Sequence, residues 1–288
     1  MTRRHSTDII RAVMTDNDRP LILLTNDDGI RSPALWAAAE ALSEIGFVTV
    51  AAPREQSSGA GRSMPVTSDG RLAEEQVDIR GKKWKVYAVG GSPAQAVQHG
   101  ILELMPRKPD LVVAGINYGE NLTTGITVSG TVGAALEGAS FGVPALAVSL
   151  EVPAEYYLTH SDTIDFRVAK YFTAYFARAL MDMQPMADVD VLKVDIPSDA
   201  SETTEWRVTR LSRQKYYVPV VSPRALLEDP ANIQFKIELD RDKVETDSDV
   251  YALRIDRMVS VTPLSLDITS RVNFPELENL LKAKGAQC

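Results

Sequence analysis

Two carboxylates stand side by side in Asn26-Asp27-Asp28-Gly29, directly after the short apolar run 21–24. In a regular strand neighbouring side chains point to opposite faces. In a loop, adjacent carboxylates can converge on one ion, and hard cations such as Mg²⁺ take oxygen ligands. Alone, the segment reads more simply as a polar turn, because Asn, Asp and Gly dominate turns for conformational reasons. It does not supply the Asp-x-Asp-x-Thr/Val pattern of a dehalogenase-type phosphatase. A second cluster, Pro53-Arg54-Glu55-Gln56-Ser57-Ser58-Gly59-Ala60-Gly61-Arg62-Ser63, follows the apolar run 47–52. Its small residues allow close backbone approach to a ligand, yet no Gly-Lys-Ser/Thr follows, so it is not a Walker P-loop. The third cluster, GINYGENLTTGITVSG at 115–130, carries Asn117, Asn121, Thr123, Thr124 and Ser129 and runs into a helical pattern at Thr131. A helix start offers free N–H groups and a positive dipole end, which suits phosphate, although Ser129 or Thr131 taken singly is more simply a cap. Together the clusters assemble two carboxylates, amide oxygens, hydroxyls and a helix start. That inventory fits metal-assisted chemistry on a phosphate, with no Cys or His nucleophile.

In open α/β sheets ligands bind beyond the carboxyl ends of the strands, and each cluster follows an apolar strand pattern. Strands are expected at 21–24, 47–52, 84–89, 110–114, 144–150 and 189–196. Helices are expected at 34–45, with Ser32 as N-cap, Pro33 at N1 and Gly46 past the end, then at 93–104 behind Ser92, at 130–140 and at 161–183. Continuous apolar strands alternating with helices imply an α/β, Rossmann-like three-layer sandwich with a mostly parallel sheet. From about Ser212 the pattern changes. Extended segments at 216–220 and 233–239, a charged turn at 240–249, a strand at 258–262 and a final helix at 274–284 follow. We read 1–19 as an extension with a short helix at 7–14, and 20–288 as a single domain. Residues 212–257 form a β-rich hairpin excursion, too short to bury a core alone.

Composition narrows the function classes. With 288 residues, 44% hydrophobic and 24% charged, the chain has an ordinary globular composition. Its 39 acids against 31 Lys and Arg give a net charge of −8, which opposes binding to a nucleic-acid polymer or a polybasic attachment to membrane. One cysteine, Cys288, excludes a disulfide framework, and three scattered histidines, His5, His99 and His160, argue against a His-based zinc site. No apolar stretch approaches the roughly 20 residues that span a bilayer, and the N-terminal segment lacks the continuous apolar core of a signal peptide. The expected location is the cytoplasm. His99 reads as packed or solvated within a helix; Tyr171, Phe172, Tyr175 and Phe176 read as one core face; Asp240–Lys243 reads as a solvated hairpin tip. Trp84, Trp206, Tyr216 and Tyr217 are aromatic enough to stack on a base but read more simply as packing.

At these residues the sequence resembles the SurE (survival protein E) family of metal-dependent nucleotidases. The resemblance spans Pro20 to about Leu281 and rests on ILLTNDDGI at 22–30, AP followed by QSSGAGRS at 52–63, PDLVVAGIN at 109–117, SGTVGAALEGASFGVPALAVS at 129–149 and VSVTPLSLDIT at 259–269. It implies that Asp27, Asp28, Ser58 and Asn117 hold one divalent cation per subunit, Mg²⁺ or Mn²⁺. Asn121, Ser129, Gly130 and Thr131 would line the phosphate pocket. Ser58 is preferred to Ser57 because the family's ligand immediately precedes a glycine, here Gly59. Asp28 is the favoured acid for orienting or deprotonating a water, although sequence does not separate ligand from base. The resemblance implies hydrolysis of nucleoside 5′-monophosphates, with 3′-nucleotides and other esters also accepted. It further implies a homodimer or homotetramer in which the excursion and final helix are exchanged. Two rivals remain: a broad phosphatase or exopolyphosphatase without nucleoside preference, and a nucleotide-binding regulator without turnover, against which the intact acid pair and Ser58 argue. The chain departs from the family at Gly91-Ser92-Pro93-Ala94-Gln95-Ala96, where many members read Gly-Thr-Pro-Ala-Asp-Cys, which puts local packing or substrate contact in question.

Overall fold

Strand β1, Leu21–Thr25, turns Ile22 and Leu24 into one apolar layer and Leu23 into another, and all three are fully buried. A strand buried on both faces needs helices on both sides, and the chain supplies them. In the computed structural model, which describes residues 19–79 and 81–285, β1 is followed by α1 (Pro33–Ser43), β2 (Phe47–Pro53), β3 (Leu72–Ile79), β4 (Lys82–Val89) and α2 (Pro93–His99). Then come β5 (Leu111–Tyr118), α3 (Gly130–Ser140), β6 (Ala145–Leu150), α4 (Arg167–Asp182), β7 (Val191–Ile196) and β8 (Trp206–Val208). The chain closes with β9 (Tyr217–Val221), β10 (Ile233–Ile237), β11 (Val259–Leu264) and α5 (Phe274–Gly285). The helix expected at 7–14 lies outside the described residues.

The main sheet runs β3-β4-β2-β1-β5-β6-β7-β11-β8. Its central strands, from β4 to β7, are all parallel; β3 is antiparallel to β4, and β11 is antiparallel to β7. Helices α1 and α4 bury Leu35, Leu42, Phe172 and Phe176 on one face, while α2 and α3 bury Val97, Val132 and Ala135 on the other. This is the three-layer α/β architecture expected from the strand–helix alternation. Strands β9 and β10 form a separate antiparallel ribbon. Among the described residues no helix is long and apolar enough to cross a membrane.

Several boundaries differ from the sequence expectation, each for a physical reason. Helix α4 begins at Arg167 rather than 161, because residues 161–166 form an irregular approach rather than helical turns. Strand β5 continues past 114 to Tyr118 by shifting its register between Ala114 and Asn117. The α-helical part of α2 ends at His99, and a π-helical turn over Gly100–Leu104 carries the segment to its expected limit, with His99 inside it and 2.6 Å from Glu103. Ser32 occupies the N-cap position of α1, but its buried hydroxyl makes no capping bond, so Pro33 alone starts that helix. Only Phe172 and Phe176 of the aromatic series face the core; Tyr171 and Tyr175 lie on the half-exposed side of α4. Asp240–Lys243 is solvated but is not the hairpin tip, since β9 and β10 are joined by 222–232.

The sheet is tied to the segment after β8 by a fully buried charge cluster. The Lys193 ammonium on β7 binds the Asp195 carboxylate, approaches Asp249 Oδ2 at 3.3 Å and donates to the Asn121 carbonyl at 2.8 Å. Burial alone would lower the lysine, but the charges of Asp195 and Asp249 outweigh it and hold Lys193 above its ordinary value. The acids also accept from backbone N–H groups: Asp195 Oδ1 from Asn121, Asp249 Oδ2 from Thr123 and Asp249 Oδ1 from Ser212. Removing the cation would leave two buried carboxylates uncompensated. Lys193→Met is therefore expected to lower the unfolding free energy by about 3–5 kcal/mol, read as a fall in the urea midpoint. An unchanged midpoint would show that the cluster does not carry this tie.

Candidate active site

Strand β1 pairs with β2 on one side and β5 on the other. The chain therefore leaves β1 in one direction across the sheet and later fills the other, which opens a crevice beyond the carboxyl ends of β1 and β5. Asp27 and Asp28 follow β1 directly, and Asn117 lies near the end of β5. The loop is closed by Asn26, whose amide donates to the Gly29 carbonyl at 3.1 Å and whose oxygen accepts from the Gly29 N–H at 3.2 Å. The second cluster is stitched to it where the Ser57 N–H donates to the Asp27 carbonyl at 2.7 Å.

Asp27 is buried against the start of α3. The Thr131 hydroxyl donates to Asp27 Oδ1 at 2.5 Å, and the N–H groups of Gly130 and Thr131 also bear on the carboxylate. Burial raises the acid and these donors oppose the rise without cancelling it. Gly130 is required by this approach: a Cβ there would lie 2.6 Å from the Asp27 Cβ and 2.8 Å from its Oδ2. Asp28 accepts from the Gln56 side chain at 3.3 Å and from the Tyr118 N–H at 3.4 Å. Burial first, and then the charge of Asp27, push it well above the usual carboxylate range.

The principal groups acting on this acid pair are a hydroxyl, an amide and backbone N–H donors, with no cationic side chain among them. A divalent cation fits as the missing counter-charge, and the donors at hand are oxygens. Among the described residues no group of three or more His, Cys, Asp or Glu could hold a metal, so further ligands would be neutral. Asn117 spends its N–H side on the Gly119 carbonyl at 2.7 Å, which keeps its oxygen for coordination. Ser58 is exposed on the wall of a cleft of about 590 Å³.

The residues read as phosphate ligands divide. Ser129 caps α3 by accepting from the Val132 N–H at 3.1 Å, and Thr131 is engaged with Asp27. Asn121 donates to the Ser149 hydroxyl at 2.9 Å, and Ser149 is the register partner of Asn117 on β6. The structure thus joins Asp27, Gly130 and Thr131 directly, sets Asp28 beside the backbone following Asn117, and links Asn121 to them through β6.

A family model described as Survival protein SurE matches residues 22–218. The chain belongs to the SurE family. The 5′-nucleotidase SurE of Thermococcus gammatolerans is 42% identical over 268 residues, covering 92% of this chain and 97% of that protein. That of Methanococcoides burtonii is 40% identical over 268 residues, covering 90% and 98%. The crystal structure of the SurE protein from Aquifex aeolicus superposes with a TM-score of 0.72 at 31% identity, covering 91% of this chain and all of that one.

Sequence reasoning missed three neighbours of the SurE acid pair. Gln56 lies inside the quoted motif, but nothing in its type singled it out. Tyr118 contributes only a backbone N–H. His160 reads in sequence as one of three scattered histidines, yet its Nε2 sits 2.9 Å from the Asp28 carbonyl oxygen, 132 residues away along the chain.

Because Gly130 touches Asp27, Gly130→Ala is expected to weaken Mn²⁺ binding by about tenfold or more in a variant whose circular dichroism is unchanged. Calorimetric titration reads this directly, and wild-type affinity would remove Asp27 from the binding site.

Proposed function

We propose that this chain hydrolyses nucleoside 5′-monophosphates, with 3′-monophosphates as further substrates, to nucleoside and phosphate. It would use one divalent cation, Mg²⁺ or Mn²⁺, held by Asp27, Asp28, Ser58 and Asn117. The observation that carries this reading is the buried, uncompensated acid pair at the switch point of the sheet, set against the start of α3. Relatives about 40% identical over most of their length are named 5′-nucleotidases, which supports the substrate class. When bound, such a cation neutralises phosphate charge and lowers the pKa of water. The chain's own residues do the rest. In this reading Asn121, Ser129, Gly130 and Thr131 line the phosphate pocket, where the start of α3 brings the favourable end of the helix dipole. Asp28, held by Gln56 and the Tyr118 N–H, orients the attacking water and accepts its proton. Thr131 fixes the rotamer of Asp27.

Asp27→Ala and Asp28→Asn are each expected to cut phosphate release from AMP by roughly a thousandfold, with Mn²⁺ or Mg²⁺ present and the fold intact. EDTA should abolish wild-type turnover and added Mn²⁺ restore it. Activity that survives either substitution in a folded protein sinks the assignment.

The same reading includes a cytoplasmic homo-oligomer, dimer or tetramer, assembled through the 212–257 excursion and the final helix. The single cysteine suits a reducing compartment. Support for assembly lies in the ribbon and α5: Val221, Ile233, Phe235, Phe274, Leu280 and Leu281 are all exposed, and apolar surface of this extent marks interaction sites. Phe235→Asp is expected to shift the mass measured by light scattering toward the monomer; an unchanged mass would place the interface elsewhere.

A further inference from the structure

The cleft that Ser58 borders is too large for a phosphate alone. Its volume of about 590 Å³ lies inside the range of small-molecule sites, roughly 300–1,000 Å³. Ser57 and Ser58 line it together with Ser63, Ser68, Asp69 and the backbone of the Gly90–Ser92 turn. Ser57 and Ser58 join this cleft to the acid pair, since the Ser57 N–H donates to the Asp27 carbonyl, so a group esterified to a phosphate at that pair can extend into it. Serine hydroxyls and backbone groups share the wall with apolar surface, which suits the ribose and base of a nucleoside. Arg54 donates to Asp69 at 2.9 Å, and both remain partly exposed in the cleft. That pair offers an acceptor for a ribose hydroxyl and a planar cation for a base.

The wall of the cleft has little to hold it. Residues 62–67 are exposed, so apolar packing does not position them. Arg62 is held by Glu137 at 2.7 Å, and the rest of the wall is held by side chains at the start of α2. Gln95 Oε1 accepts from the Ser68 hydroxyl at 2.7 Å and from the Ser92 N–H at 3.0 Å, while its Nε2 donates to the Pro65 carbonyl at 3.1 Å. The Ser92 hydroxyl adds a bond to the Ser63 carbonyl at 2.6 Å and caps α2 by accepting from the Gln95 N–H at 3.1 Å. The capping box of α2 therefore doubles as a clamp on the wall, and only a side chain with both a donor and an acceptor makes all of these bonds.

We infer that this cleft receives the nucleoside half of the substrate and that Gln95 is a positioning residue which sets its affinity by holding the 63–68 wall. This rests on the nucleotidase reading above. Gln95 touches neither the acid pair nor the first turn of α3, so it acts on the leaving-group end alone.

The test uses the full chain with Mn²⁺, AMP and p-nitrophenyl phosphate as substrates, and calorimetric binding of adenosine. Gln95→Ala is expected to raise KM for AMP and weaken adenosine binding by roughly tenfold each. The kcat for AMP and both constants for p-nitrophenyl phosphate should stay within about twofold, a change too small to signal a lost hydrogen bond. Gln95→Glu keeps the capping box and the Ser68 bond but loses the donor to Pro65, so its adenosine affinity should fall between those of wild type and Gln95→Ala. Equal losses on both substrates would show a merely structural role and overturn the inference, as would adenosine affinity indifferent to Gln95. If wild type binds adenosine in a Gln95-dependent way but releases no phosphate from any ester, the nucleotidase reading fails and the cleft assignment stands.

Discussion

The contact on which the rest of the site depends is that between the Asp27 carboxylate and the first turn of α3. It joins the end of β1 to a helix that begins more than a hundred residues later, through the Thr131 hydroxyl and a backbone approach only glycine permits at position 130. A buried carboxylate facing helix N–H groups is partly compensated by them, yet Asp27 is still raised by burial and Asp28 more so. Burial thus opposes the charged form of both acids, and a bound cation would supply the counter-charge that they lack.

The remaining contacts make that geometry rigid. One turn further along α3, Gly133 meets the backbone of the second loop so closely that a Cβ would sit 2.3 Å from the Gly61 carbonyl oxygen. Glu137, buried on the next turn, accepts from Arg62 at 2.7 Å and from Gln98 at 2.9 Å, tying the same loop and α2 to one side chain. On the far side of the crevice, Glu120 receives the Tyr216 hydroxyl at 2.6 Å, and the Tyr217 hydroxyl donates to its carbonyl at 2.6 Å. The segment carrying Asn121 is thus gripped from below by Lys193 and from outside by residues of the excursion. The excursion shapes the site even within one chain.

The parallel core was legible because its signal is periodic and apolar: β1, β2, β6, α1 and α3 lie within a residue or two of their expected limits. What escaped were elements whose stability comes from neighbours rather than pattern. Strand β3 is charged and largely exposed and exists because β4 offers an edge, with Glu74 facing Lys85 at 2.7 Å. Strand β8 has three residues and pairs only with β11. The acid pair was legible as chemistry through its coincidence with two further polar clusters at strand ends, since alone Asn26-Asp27-Asp28-Gly29 reads as a polar turn. The division of labour among Ser129, Gly130 and Thr131 was not, since a cap, a close approach and a carboxylate clamp share one short motif. Nor was His160, whose partner is a backbone carbonyl that no side-chain pattern announces.

The burial of the two ends of the site follows from what each must do. Interactions at the phosphate have to be stronger in the transition state than in the ground state, and errors of about 1 Å there are costly. The acids and the α3 turn are accordingly buried and linked to β1, β5 and β6. Contacts with the nucleoside body, remote from the ester oxygen, change little during reaction, so the subsite proposed for it tolerates an exposed wall held by a few hydrogen bonds around Gln95. An anionic substrate is reconciled with a chain of net charge −8 because the start of α3 and a cation at the acid pair would reverse the sign locally.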